Sequence, residues 1–137
     1  MERYLGRFAP HAYALLRIVA GLMFAMHGSQ KLFGWPGGSE PVPVTLMKVA
    51  GFIELVTGIF IAIGLLTPLM AFLASGQMAV AYFKAHAPNG IYPVLNQGEL
   101  AALYAFLFLY IACAGDGIWS VGRRGGSVDV RTNFRKR

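Results

Sequence analysis

Four apolar stretches, each close to the length of a membrane-crossing helix, constrain this chain more than any other feature. They cover residues 12–33 (AYALLRIVAGLMFAMHGSQKLF), 45–66 (TLMKVAGFIELVTGIFIAIGLL), 69–86 (LMAFLASGQMAVAYFKAH) and 97–115 (QGELAALYAFLFLYIACAG). A helical span needs about 20 predominantly apolar residues. Breakers separate the four: GWPGGSEPVP at 34–43, the Thr67-Pro68 turn, and APNGIYPVLN at 87–96. Pro68 suits the first position of a new helix, where its missing N–H costs nothing. The pattern predicts an all-α polytopic membrane protein, a four transmembrane helix bundle, in a single domain over 1–137 with a basic tail from about 122.

Composition agrees with that class. The chain is 56% hydrophobic and 13% charged, against about 25% charged in soluble domains. The net charge of +6 does not point to nucleic acid, because the excess gathers in the tail, where residues 116–137 hold six Lys or Arg and two Asp. The single cysteine, Cys113, excludes an internal disulfide or a C-x-x-C redox pair. Arg3 and Arg7 before an apolar run imitate a signal peptide, but there is no A-x-A-like cleavage site and more apolar segments follow. The run is read as a retained first helix.

Lys and Arg flanking the spans set orientation. Arg3 and Arg7 precede the first span, a cluster from Arg123 to Arg137 follows the fourth, and the 34–43 loop has neither. Both termini are therefore expected on the cytoplasmic side, with the two longer loops facing out. Trp35, Tyr92 and Trp119 fit interfacial anchoring. The basic tail suits anionic head groups.

Against this background the ionisable residues stand out. A charge at the bilayer centre costs roughly 2.5–3.5 kcal/mol even on lenient scales, so such residues pair or line a polar cavity. With this topology, His27, Lys31, Lys84, His86 and Glu99 fall in the outer half, and Glu54 lies about 9 Å below Lys48 at 1.5 Å per residue. His27, Glu54, Gln77 and Tyr104 form a deeper polar tier, so a pocket open to the outer side is expected.

Each candidate also has a plainer role. His27 and Lys31 are i,i+4 and share a helix face. Glu54 shares its face with Gly51 and Gly58, small residues that let a second helix approach. Lys31 or His27 is its natural partner. The result is either a structural ion pair or a carboxylate that binds a head group or moves protons. Lys84, facing as Gln77 does, either joins the layer or snorkels. His86 is either a titrating group or an interfacial residue. Asn96 in NQGE is a good N-cap, and Glu99 completes a capping-box-like pattern. Arg17 and Asp116 are candidates for a structural ion pair at the cytoplasmic end. Gly21, Gly28, Gly51, Gly58 and Gly64 permit close helix packing. Three histidines without short spacing give no metal site, and no P-loop, nucleophile triad or dinucleotide fingerprint is present.

The blocks LLRIVAGLMFAMHGSQKLFG (15–34), GFIELVTGIFIAIGLLTP (51–68) and AYFKAHAPNGIYPVLNQGELAALY (81–104) resemble the DoxX family of small four-helix membrane proteins of bacteria and archaea. HG-x-QKLFG, G-x-x-E-x-x-x-G and N-x-GE occur in the family's order and spacing, from about Leu16 to Val121. NQGE stands where the family usually has N-G-G-E, and DGIWSV (116–121) where it has G-P-G-x-x-S. Arg17, His27, Lys31, Glu54, His86, Asn96 and Glu99 match family motif positions. The resemblance implies a bacterial or archaeal cytoplasmic membrane protein associated with oxidoreductases. It would have no intrinsic cofactor, with quinone and a soluble redox partner supplied from outside.

Three functions follow as expectations. The first is a quinone-interacting or oxidoreductase-associated subunit with its site in the outer polar layer. The second is a small-solute transporter or permease using the same layer. The third is a scaffold whose buried charges only fix helix packing. The lipid bilayer is a partner in all three, and the Gly-rich faces allow a homo-oligomer.

Overall fold

The computed structural model describes residues 2–37 and 45–122. Among them there is helix and no strand. Four long helices carry the architecture: α1 (Ala9–Phe33), α2 (Thr45–Ile63), α3 (Thr67–Ala81) and α4 (Glu99–Ala114). A short helical lead-in, Glu2–Phe8, precedes α1. The expected basic tail beyond Gly122, and residues 38–44 between α1 and α2, lie outside the described residues.

Helix ends follow local chemistry. Gly34 ends α1 in the left-handed region (φ 69°), donating its N–H to the Gln30 carbonyl at 3.0 Å. Gly64 (φ 73°) ends α2. There Gly64 N–H reaches Ile61 O at 3.2 Å and Leu65 N–H reaches Phe60 O at 2.9 Å, the paired bonds of a Schellman motif. α3 begins at Thr67 with Pro68 in its first turn, two residues earlier than the spacing predicted. Its continuation, Tyr82–His86, winds as π-helix.

The start of α4 corrects the sequence reading. Asn96 does not cap it. Asn96 closes a separate turn, Pro93–Asn96; Gln97 is left-handed (φ 58°), and α4 starts at Glu99 after Gly98. The Asn96 side chain instead closes the loop on itself, with Oδ1 accepting from Gly98 N–H at 2.7 Å and Nδ2 donating to Gly90 O at 2.6 Å. Glu99 is exposed in the first turn of α4, where the helix dipole favours a carboxylate.

All four helices contribute to one core: Ala20 and Phe24 from α1, Ile61 from α2, Ala71, Ala74 and Met78 from α3, and Tyr104, Phe108 and Ile111 from α4. Phe24 meets Phe108 with ring centroids 4.7 Å apart. The closest crossing is α1 on α2. A Cβ on Gly21 would sit 2.6 Å from Ala62 N, and one on Gly58 2.5 Å from Ala25 N. Backbone therefore lies against backbone at two levels, Gly21/Gly58 and Gly28/Gly51. Gly58→Ala should cost about 1–3 kcal/mol, because overpacking against main chain cannot be relieved by a rotamer change; thermal unfolding in detergent measures it. Gly76 has open space around its Cβ position, so Gly76→Ala is the neutral control.

Much of the outside is apolar. Leu22, Met26, Phe52, Ile59, Phe72, Val80, Leu103 and Phe106 are all exposed. Two segments, Gly6–Phe33 and Thr45–Ile63, are long and apolar enough to cross a membrane, yet only 33% of each apolar window is buried within the protein. Core helices of soluble domains hide such surface, and continuous exposed apolar faces on this scale mark contact with another apolar phase.

Candidate functional site

The bundle has a loop end, near residues 34 and 90, and a hairpin end, at the α2–α3 turn. The charged residues separate between them.

Towards the loop end, the α1–α2 glycine crossing sets Lys31 against Glu54. The Lys31 ammonium pairs with Glu54 Oε1, and a Cβ on Gly51 would stand 2.9 Å from Lys31 Cβ. Glu54 is 1% exposed, Lys31 26%, so the pair reaches the surface only on the lysine side. From α3, Gln77 Nε2 donates to the same Oε1 at 2.9 Å and to the Ala50 carbonyl at 3.2 Å. One turn below Lys31, His27 stands edge-on to Tyr104 of α4, with centroids 6.3 Å apart. Tyr104 stacks on Phe108 at 5.3 Å. Lys31, Glu54 and Gln77 are thus joined directly, and His27 and Tyr104 extend the tier to the fourth helix.

Three buried polar atoms of this tier have no hydrogen-bond partner among the described residues: Glu54 Oε2, Gln77 Oε1 and Tyr104 Oη. Buried polar atoms are nearly always satisfied, so these orphans call for a bound group or water.

Other candidates lie apart. Lys84 is exposed and outside the tier: the π-turn from Tyr82 breaks the α-helical register that would have aligned it with Gln77. His86, half-buried, points Nδ1 at the Asn96 carbonyl at 3.1 Å. It stacks near Tyr82, whose hydroxyl donates to Ile91 O at 2.6 Å. His86 and Asn96 border an open cleft of about 390 Å³ with Ala85, Asn89, Leu95 and Gln97. The sequence reading missed Tyr82; its i,i+4 spacing to His86 was the available signal.

At the hairpin end, the Arg17–Asp116 pair does not form. Arg17 is fully buried rather than snorkelled, and carbonyls bind its guanidinium. Nη1 donates to Ile61 O at 2.6 Å and Ala62 O at 2.8 Å, Nη2 to Trp119 O at 2.8 Å and Ile118 O at 3.4 Å. The C-terminus of α2 supplies carbonyls with acceptor capacity to spare and the negative end of its dipole, which substitute for a carboxylate. Asp116 instead accepts from Thr67 N–H at 3.1 Å, serving the N-terminus of α3. Residues 116–122 are held further by Val121 N–H to Ile63 O at 3.0 Å and Gly122 N–H to Gly64 O at 2.9 Å.

Comparison with known proteins places the chain in a family. The DoxX family model matches residues 12–87. A Haemophilus influenzae protein of uncharacterised function is 42% identical over 120 residues, covering 82% of this chain and 90% of that protein. A Bacillus subtilis protein named "Putative oxidoreductase CatD" is 26% identical over 131 residues, covering 85% of this chain and 92% of that protein. No solved structure matches the chain. From Ala12 to Ala87, through the helices that carry Lys31, Glu54 and Gln77, the match holds, and the chain belongs to the DoxX family.

Proposed function

We propose that this protein is a four-span subunit of the bacterial or archaeal cytoplasmic membrane, with both termini cytoplasmic. Its Lys31–Glu54–Gln77 tier receives the head group of a quinone on behalf of an oxidoreductase. The observation that carries the reading is Glu54: a 1% exposed carboxylate with one oxygen shared by two donors and the other unpartnered, inside helices whose outer faces are apolar. α3 with its π-turn, residues 67–86, is about 30 Å long at 1.5 Å per residue, enough to span. The relative named as an oxidoreductase supports the redox association, and the lack of a dithiol within this chain leaves electron transfer to a soluble partner.

One observation favours a scaffold instead: Glu54 is already paired, and the pair ties α1 to α2. Purification in mild detergent, with mass spectrometry of everything retained, separates the two readings. The expected result is quinone or a redox partner held by wild type and lost from a folded Glu54→Gln variant. Equal retention by both, or none by either, overturns the proposal in favour of the scaffold.

A further inference from the structure

The identity of the three orphan atoms restricts the chemistry of the ligand. Gln77 Nε2 faces two acceptors, the Glu54 carboxylate and the Ala50 carbonyl. The amide cannot be flipped without setting oxygen against oxygen, so its unpartnered atom is the carbonyl Oε1. Glu54 Oε1 accepts from both Lys31 and Gln77, which leaves Oε2 as a second acceptor. These two orphans belong to side chains bonded to one another, within the span of one small head group. Tyr104 Oη both donates and accepts.

A bare carbonyl or an anion would meet acceptors at Glu54 and Gln77 and satisfy neither. A cation would supply donors, but the Lys31 ammonium already neutralises Glu54 and would repel it. Both orphan acceptors of the pair call for an uncharged donor, and among the two redox forms of a quinone head group only the reduced one carries O–H. We infer that the tier binds a neutral hydroxyl-bearing aromatic head group, the reduced hydroquinone form, in preference to the oxidised carbonyl form. The inference rests on the reading of this tier as a binding site.

A matched pair of probes of nearly the same size isolates the point: tail-less dimethoxymethylbenzoquinone and its hydroquinone. Each is titrated calorimetrically under argon into the full chain in detergent micelles. Wild type is expected to bind the hydroquinone at least about tenfold more tightly, the scale of a hydrogen bond to a charged acceptor. Gln77→Leu, which deletes one orphan acceptor, is expected to shrink that preference to about threefold or less. Equal affinities in wild type, a tighter quinone, or an undiminished preference in Gln77→Leu overturns the inference and leaves the proposed function standing. Binding of neither probe overturns both. The wild-type comparison decides even if the variant fails to fold.

Discussion

Lys31→Met will destabilise the protein more than Glu54→Gln, although the two substitutions break the same pair. The asymmetry comes from burial. Glu54 is 1% exposed and Lys31 26%. Removing the lysine strands a carboxylate in the interior with only the Gln77 amide in support. Removing the carboxylate's charge leaves an ammonium that still reaches solvent or head groups. Stripping one partner from a buried pair costs about 3–5 kcal/mol, and Lys31→Met should approach the lower part of that range. The double variant Lys31→Met/Glu54→Gln should recover most of the loss, since two neutral groups need no counter-charge. Equilibrium unfolding in mixed micelles, run as a double-mutant cycle, measures all four species. A larger loss for Glu54→Gln, or no recovery in the double variant, would show that the pair is not what holds α1 to α2.

The second large effect belongs to Arg17. Its guanidinium satisfies carbonyls from the end of α2 and from the segment after α4, and each bond from a charged donor is worth roughly 1.5–3 kcal/mol. Arg17→Met should cost at least about 3 kcal/mol on that scale and free residues 116–122 from the α2–α3 turn. Arg17→Lys should rescue little, because a single ammonium cannot span carbonyls that the planar fork reaches on two sides. Hydrogen exchange at Val121 and Gly122, whose amides bond to Ile63 and Gly64, reads the release directly. Unchanged protection there in Arg17→Met would show that the segment is held by its own backbone bonds and not by the arginine.

The sequence exposed the parts of this structure that depend on periodicity and spacing. Four apolar runs gave the four long helices, and Gly51 and Gly58 around Glu54 showed which face α1 would meet. For Glu54 the sequence left two partners on one face of the first helix, Lys31 and His27, and the structure joins it to Lys31. What stayed hidden depends on main-chain groups, which every residue carries and no side-chain pattern reports. Arg17 and Asp116, opposite charges at one end, read as a pair; the structure gives each a helix terminus instead. Asn96 looked like a cap because its side chain does satisfy a backbone N–H, that of Gly98, one position before α4 begins. The π-turn at Tyr82–His86 has no compositional signature, and it separates Lys84 from Gln77.

The arginine clasp also has a temporal side. Its two sets of carbonyls are 44–45 and 101–102 residues distant in the chain. During vectorial synthesis, Arg17 enters with α1 long before Ile118 and Trp119 exist, and α2 brings the first carbonyls. Contacts of such wide separation close late. The guanidinium therefore has only the Ile61 and Ala62 carbonyls until the segment carrying Ile118 and Trp119 arrives. A nascent chain stalled before Gly117 would hold an arginine with half its carbonyls.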